Sequence, residues 1–225
     1  IYFDVDKDGM AERTGWVKPG YGFLVRDLNA NGKIDDAGEM FGRPGVNGFT
    51  ALKALDGNGD NLISAADSSF ASLKVWQDKD GDGVTDAGEL LTLSQLGIKS
   101  INLAASAATG SINGNQLLQQ STVTFVDGKV RKIGEFNLDL DSIHAKPVNP
   151  PTVSAEVKAM PWLWGSGDVM DLDYAMTLDG TLKSLVAKLG AMPAGAYTGY
   201  DTAMQNILFR WAHVDGVAPG SRGDA

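Results

Sequence analysis

The stretch Asp78-Lys79-Asp80-Gly81-Asp82-Gly83-Val84-Thr85-Asp86-Ala87-Gly88-Glu89 decides how this chain is read. Aspartates at positions 1, 3 and 5 of a curled backbone turn their carboxylates toward one centre. Gly83 at position 6 supplies the left-handed bend that closes the curl. The Val84 carbonyl stands at position 7 and Asp86 at position 9, and Glu89 at position 12 offers two oxygens at once. A ring of hard oxygens of this size suits Ca2+, which accepts about six to eight of them, better than the smaller and stricter Mg2+.

Three more loops of this type precede it. The first carries Asp4, Asp6, Asp8 and Gly9, the Met10 carbonyl at position 7, Glu12 at position 9, and only Gly15 at position 12. The second carries Asp27, Asn29, Asn31, Gly32, the Lys33 carbonyl and Asp35, but its Glu39 falls one position late. The third carries Asp56, Asn58, Asp60, the Leu62 carbonyl, Ser64 and Asp67, with Asn61 in place of glycine. One such loop reads equally well as a solvated Asx turn. Four in series predict a calcium protein holding about three to four ions, with loop four the tightest.

Charge follows the loops. The formal net charge is −9, and residues 1–90 hold 16 of the 28 acids against nine of the 19 bases. An acidic excess confined to the loops is what cation binding needs. No basic face is visible, which disfavours nucleic acid as a partner. The chain has no cysteine, hence neither disulfide nor thiolate site. No apolar run approaches the ~18–20 residues that span a bilayer. The opening Ile1-Tyr2-Phe3, without Met or signal-like segment, reads as part of a longer parent chain, whose other domains are then expected partners.

The pattern between the loops predicts an α+β fold. Phe49, Leu52 and Leu55 recur at helical spacing; Ala65 to Val75 and Glu89 to Leu96 read as further short helices, giving EF-hand-like helix–loop–helix pairs. Ile34 and Ile63, at position 8 of their loops, are expected to anchor them in the core. Ile98 to Leu103 reads as a strand, residues 104–116 as a loop, and Asp127-Gly128 as the turn of a hairpin between Thr122–Val126 and Lys129–Ile133. The expected organisation is a calcium module over 1–146, a Pro-rich linker over 147–151, and a small helical bundle over 152–225.

The motifs Thr14-Gly-Trp-Val17, Gly22-Phe-Leu-Val-Arg-Asp27, Glu39-Met-Phe-Gly42, Ala54-Leu-Asp56, Val75-Trp-Gln-Asp78 and Leu96-Gly-Ile98 occur in the order and spacing of a known family. Residues 1 to 145 closely resemble the self-processing module of FrpC-like iron-regulated RTX proteins. The tail, with Gly165-Ser-Gly-Asp-Val169 and Phe209-Arg-Trp-Ala212, resembles the helical segment of large secreted RTX adhesins and toxins. The resemblance implies type I secretion, calcium-driven folding outside the cell or at the bacterial surface, and in some members self-cleavage at an Asp-Pro bond followed by isopeptide ligation to a lysine. None of the 23 aspartates here precedes proline, so no catalytic residue is expected within these residues. Arg43-Pro44 departs from the family pattern, and the glycine-rich RTX nonapeptides are absent.

Other signals are weaker. His144 and His213 do not form a zinc set, and Gly165-Ser166-Gly167 lacks the spacing of a nucleophile elbow. Trp162 and Trp164 are expected in the core rather than stacked on sugars, and Arg222-Gly-Asp224 matches an integrin-type tripeptide by letters alone. The alternatives to a calcium-binding structural module are an autoprocessing module whose scissile bond lies upstream, and a module binding a host-cell surface protein or glycan.

Overall fold

The computed structural model describes residues 1–43, 45–193, 195 and 198–218; Pro44 and the Arg222-Gly-Asp224 tripeptide lie outside them. The chain divides into two compact units, Ile1–Ser142 and Ile143–Ala225.

The first unit is built from short strands. In order they are β1 (Tyr2–Phe3), β2 (Met10–Thr14), β3 (Phe23–Val25), the single short helix α1 (Gly48–Lys53), β4 (Leu62–Ser64), β5 (Lys74–Trp76), β6 (Leu90–Thr92), β7 (Ile98–Asn102), β8 (Ser106–Ala107), β9 (Ser111–Ile112), β10 (Asn115–Phe125), β11 (Val130–Asn137) and β12 (Leu140–Pro147), within which the division falls. They make three sheets, ordered β1–β2–β12, β3–β5–β6, and β11–β10–β7–β4 with β8 and β9 also pairing β10.

This overturns the expected α+β assembly of EF-hand-like helix–loop–helix pairs. The segments flanking the loops are three-residue runs rich in aliphatic and aromatic residues, Phe23-Leu-Val25, Lys74-Val-Trp76 and Leu90-Leu-Thr92, and they pair antiparallel, β3 with β5 and β5 with β6. Runs this short cannot close even a few helical hydrogen bonds, whereas β-branched and aromatic residues pack readily on a pleated surface. Ala65 to Val75 gives only a 3-10 turn at Phe70–Ser72 before β5, and Glu89 to Leu96 gives β6 and a turn. Only α1, entering loop three, keeps the helical pattern, capped by the Asn47 side chain on the Thr50 N–H.

Ile98 to Asn102 is a strand, and the hairpin is present with Thr124 opposite Val130; Gly128 takes φ 82° at its turn. Residues 104–116 hold β8 and β9 rather than a plain loop. Ser106-Ala107 and Ser111-Ile112 are too short to signal strands by themselves, and here pairing to the long β10 recruits them.

Two cores fill this unit. One is aliphatic: Leu52, Ile63, Leu73, Leu93, Ile101 and Val123 gather under the β11–β10–β7–β4 sheet. The other is aromatic: Phe3, Trp16, Phe23 and Trp76 stack around Val25 and Ile34, with Trp16 and Trp76 edge to face at 5.4 Å. Ile34 and Ile63 are both buried, as anchors should be.

The second unit carries α2 (Ala155–Lys158), α3 (Leu172–Leu178), α4 (Gly180–Gly190) and α5 (Tyr200–Trp211). A helical bundle was expected; the helices are too short for one, α2 being a single turn of four residues. They gather instead around a small core of Val157, Leu172, Met176, Leu182, Val186 and Ile207. Trp162 and Trp164, expected in the core, are exposed and pack on each other at 4.3 Å. Among the described residues no helix is long and apolar enough to cross a membrane.

Asp179 joins three of these helices. It ends α3, caps α4 by accepting the Thr181 and Leu182 N–H groups at 2.8 and 3.2 Å, and binds Arg210 of α5 at 2.5 Å. The Arg210 hydrogen bond holds its carboxyl below the ordinary 3.8. Its contribution is therefore complete above that pH and lost as pH falls through the depressed value. Asp179→Ala is expected to destabilise this unit by about 1–3 kcal/mol at neutral pH, read by denaturant unfolding, and by much less at the acid end.

Candidate metal-binding loops

Each loop starts where a short element ends, so the backbone leaves the core already aimed outward. Loop one follows β1, loop two follows β3, loop three follows α1, and loop four follows β5. The same hydrogen-bond frame recurs in all four. Oδ2 of the first aspartate accepts the position-6 N–H: Gly9 to Asp4 at 3.1 Å, Gly32 to Asp27 at 3.0 Å, Asn61 to Asp56 at 3.0 Å, and Gly83 to Asp78 at 2.9 Å. The position-7 N–H of Met10, Lys33, Leu62 and Val84 donates to the position-5 side chain of Asp8, Asn31, Asp60 and Asp82 at 2.7–2.8 Å. Asn61 serves where glycine was expected because asparagine tolerates its φ of 62°. Gly83 is less replaceable: at φ 78° a Cβ there would also meet the Tyr2 carbonyl oxygen at 2.9 Å.

The closing acids show the same logic. Glu39, Asp67 and Glu89 each accept the position-2 N–H on one oxygen, from Leu28 at 2.8 Å, Gly57 at 2.9 Å and Lys79 at 2.7 Å. Each accepts the position-9 N–H on the other, from Asp35 at 3.1 Å, Ser64 at 2.9 Å and Asp86 at 3.0 Å. Glu39 reaches this place despite its late position because the 3-10 turn Ala37–Glu39, capped by Asp36, takes up the extra residue. Loop one solves its missing position 12 differently. Glu12, on β2, accepts the position-2 N–H of Val5 at 3.1 Å and is itself buried.

Carboxylate oxygens of Asp4, Asp6 and Asp8 lie within 4.8 Å of one another, as do those of Asp78, Asp80 and Glu89, and those of Asp80, Asp82 and Asp86. Desolvation and the charges of Asp82 and Glu89 push the Asp80 carboxyl above its ordinary range. Desolvation does the same to Glu12, with Asp6 and Asp8 adding to it. Loop two has fewer charges. The Asn29 and Asn31 amides donate to Asp35 at 3.0 and 2.6 Å, which gathers the three side chains. In loop three the Asn58 amide donates to Asp60 at 3.0 Å.

The donors fit a hard cation. They are carboxylate and amide oxygens, and in loop two one of them lacks a partner: among the described residues Asp27 Oδ1 is buried without a hydrogen bond, on a side chain 7% exposed. A bound Ca2+ would be held there by Asp27, Asn29, Asn31, Asp35 and Glu39, and in loop four by Asp78, Asp80, Asp82, Asp86 and Glu89.

Several contacts that sequence reasoning missed hold these loops to the aromatic core. The Trp16 indole donates to Asp78 Oδ2 at 2.7 Å, and the Trp76 indole to Glu89 Oε2 at 3.4 Å. Thr85, at position 8 of loop four, accepts the N–H of Ile34, at position 8 of loop two, at 3.0 Å. Ala37 donates to the Asp4 carbonyl at 3.0 Å, tying loop two to loop one. The spacing of Ile34 and Thr85 within their loops was the one signal that could have found the pairing.

A β-rich unit carrying four loops of one hydrogen-bond pattern defines the class to which the comparisons with known proteins assign the chain. Residues 1–139 match the SPM domain, and the chain belongs to that family. It is 38% identical over 222 residues to the iron-regulated protein FrpA of Neisseria meningitidis serogroup C, a match covering 95% of this chain. The chain spans 20% of that relative's length.

Glu89 accepts the Lys79 and Asp86 N–H groups and the Trp76 indole, and Glu12 the Val5 N–H, so Glu89→Ala should lower the melting midpoint in calcium more than Glu12→Ala does. Trp16→Phe keeps the ring stack but removes the indole donor; it should weaken calcium binding at loop four several-fold, as read by calorimetry, with little change in the circular dichroism spectrum.

Proposed function

We propose that residues 1–146 form a calcium-binding structural module of a secreted, RTX-type protein of the adhesin or toxin kind, which folds on meeting calcium outside the cell. In this reading the Pro-rich 147–151 segment joins the module to residues 152–225 within a larger parent chain. The observation that carries it is the recurrence of one frame in four loops of different sequence. In each, the first aspartate and the closing acid accept backbone N–H groups, and in loops one and four the carboxylate oxygens crowd within 4.8 Å of one another. Such crowding is costly for a bare chain and favourable around a divalent cation.

A site held at about 100-fold above its dissociation constant adds about 2.7 kcal/mol to the folded state. Several sites together match the whole stability of an ordinary domain, about 5–15 kcal/mol. The first unit is therefore expected to lose most of its ordered structure in chelator and to recover it in millimolar calcium. Circular dichroism and thermal melts in the two conditions read this directly, and identical melts would refute it.

Membership of the SPM family supports a second reading, in which the module promotes calcium-dependent cleavage at an Asp-Pro bond upstream of Ile1. The chain as given is expected to stay intact in millimolar calcium. The same chain extended upstream through an Asp-Pro sequence is expected to yield two fragments, resolved by gel electrophoresis and mass spectrometry.

A further inference from the structure

Loops two and four hold their first aspartate by the same position-6 bond, yet each adds a second donor to the same oxygen, and the two donors differ in charge. In loop four it is the neutral Trp16 indole, 2.7 Å from Asp78 Oδ2. In loop two it is the Lys74 ammonium, 3.3 Å from Asp27 Oδ2. Lys74 is placed there by register: it opens β5 directly across from Val25, the last residue of β3, and Asp27 lies two residues further on. The lysine is only 28% exposed and the aspartate 7%, so water screens the pair poorly. Among the described residues no comparable cation lies within 4.0 Å of the first aspartate of loops three or four.

We propose that Lys74 sets the cation affinity of loop two, acting as a resident positive charge on the carboxylate that a divalent ion must share. The inference rests on the reading of the loops as calcium sites. An ion in loop two would sit against Asp27 Oδ1, the oxygen left without a partner, while Lys74 stays on Oδ2 of the same group. The two cations then compete for one carboxylate and repel across it. Loop two already has two neutral asparagines where loop four has aspartates, so losing part of a third charge weighs heavily. Loop two thereby becomes the site that fills last, at calcium levels where loop four is saturated. Its closing Glu39 accepts the same position-2 and position-9 N–H groups as Glu89 of loop four.

The position-6 amides of Gly9, Gly32, Asn61 and Gly83 report each loop separately, because each donates to its own first aspartate. The test is a calcium titration of the full chain followed by amide NMR, for wild type, Lys74→Met and Lys74→Arg. Lys74→Met keeps most of the aliphatic stem and removes the charge; it should lower the calcium midpoint at Gly32 by roughly tenfold and leave the other three amides within about twofold. Lys74→Arg, retaining the charge, should titrate like wild type. An unchanged Gly32 midpoint in Lys74→Met overturns the proposal while leaving loop two standing as a site. An equal shift at all four amides also overturns it, since that would report general stabilisation. Absence of any calcium response at Gly32 in all three proteins would overturn both this proposal and the reading of loop two on which it rests.

Discussion

Carboxylates crowded within 4.8 Å of one another repel, and the first unit is arranged around containing that repulsion. Containment comes from the backbone. The first aspartate and the closing acid of each loop accept backbone N–H groups, which favour their charged form. In loop four the Asp80 carboxyl is pushed up by desolvation first and then by the charges of Asp82 and Glu89. A divalent cation among these oxygens would turn that repulsion into attraction. The frame is held in this shape by the two cores that stand behind it.

That backing differs between loops. Loops one, two and four lean on the aromatic core, where Trp76 is fully buried and Phe3, Trp16 and Phe23 stack against it. Two of its indoles reach through to the carboxylates themselves, a use of tryptophan that combines a large apolar body with one polar tip. Loop three leans on the aliphatic core instead, through Ile63 and the ladder of β4 on β7. A truncation in either core should therefore be felt in a particular loop before it is felt in the whole unit.

The curl of each loop was legible because its hydrogen bonds are local, running from the position-6 amide back to the first aspartate five residues earlier. Asp127-Gly128 was legible for the same reason. The flanking elements were not. Leu90-Leu-Thr92 carries no period long enough to separate helix from strand, and its state is decided by β5, which it meets across the loop. Loop two shows the same limit on a smaller scale. Its late Glu39 looks like a defect in the letters, and the 3-10 turn that repairs it depends on Asp36, a residue with no part in the ligand pattern. Trp16 and Lys74 were invisible as partners because each acts on a loop 62 or 47 residues away.

Asn115 sits at the junction of three distant stretches of chain. Its amide donates to the Trp16 carbonyl across 99 residues, and its oxygen accepts the Asp139 N–H across 24. Buried as it is, it cannot be satisfied until both stretches have arrived. Trp16 in turn is the donor to loop four, so the firmest loop is completed by contacts of high sequence separation. Closing loops of this length costs chain entropy before any contact rewards it, which slows folding. Residues 115 and 139, 24 apart, can meet before residue 16 joins them across 99 residues. The lock on Asp78 is then expected to set late, at a rate governed by arrival of the Trp16 stretch rather than by the loop itself.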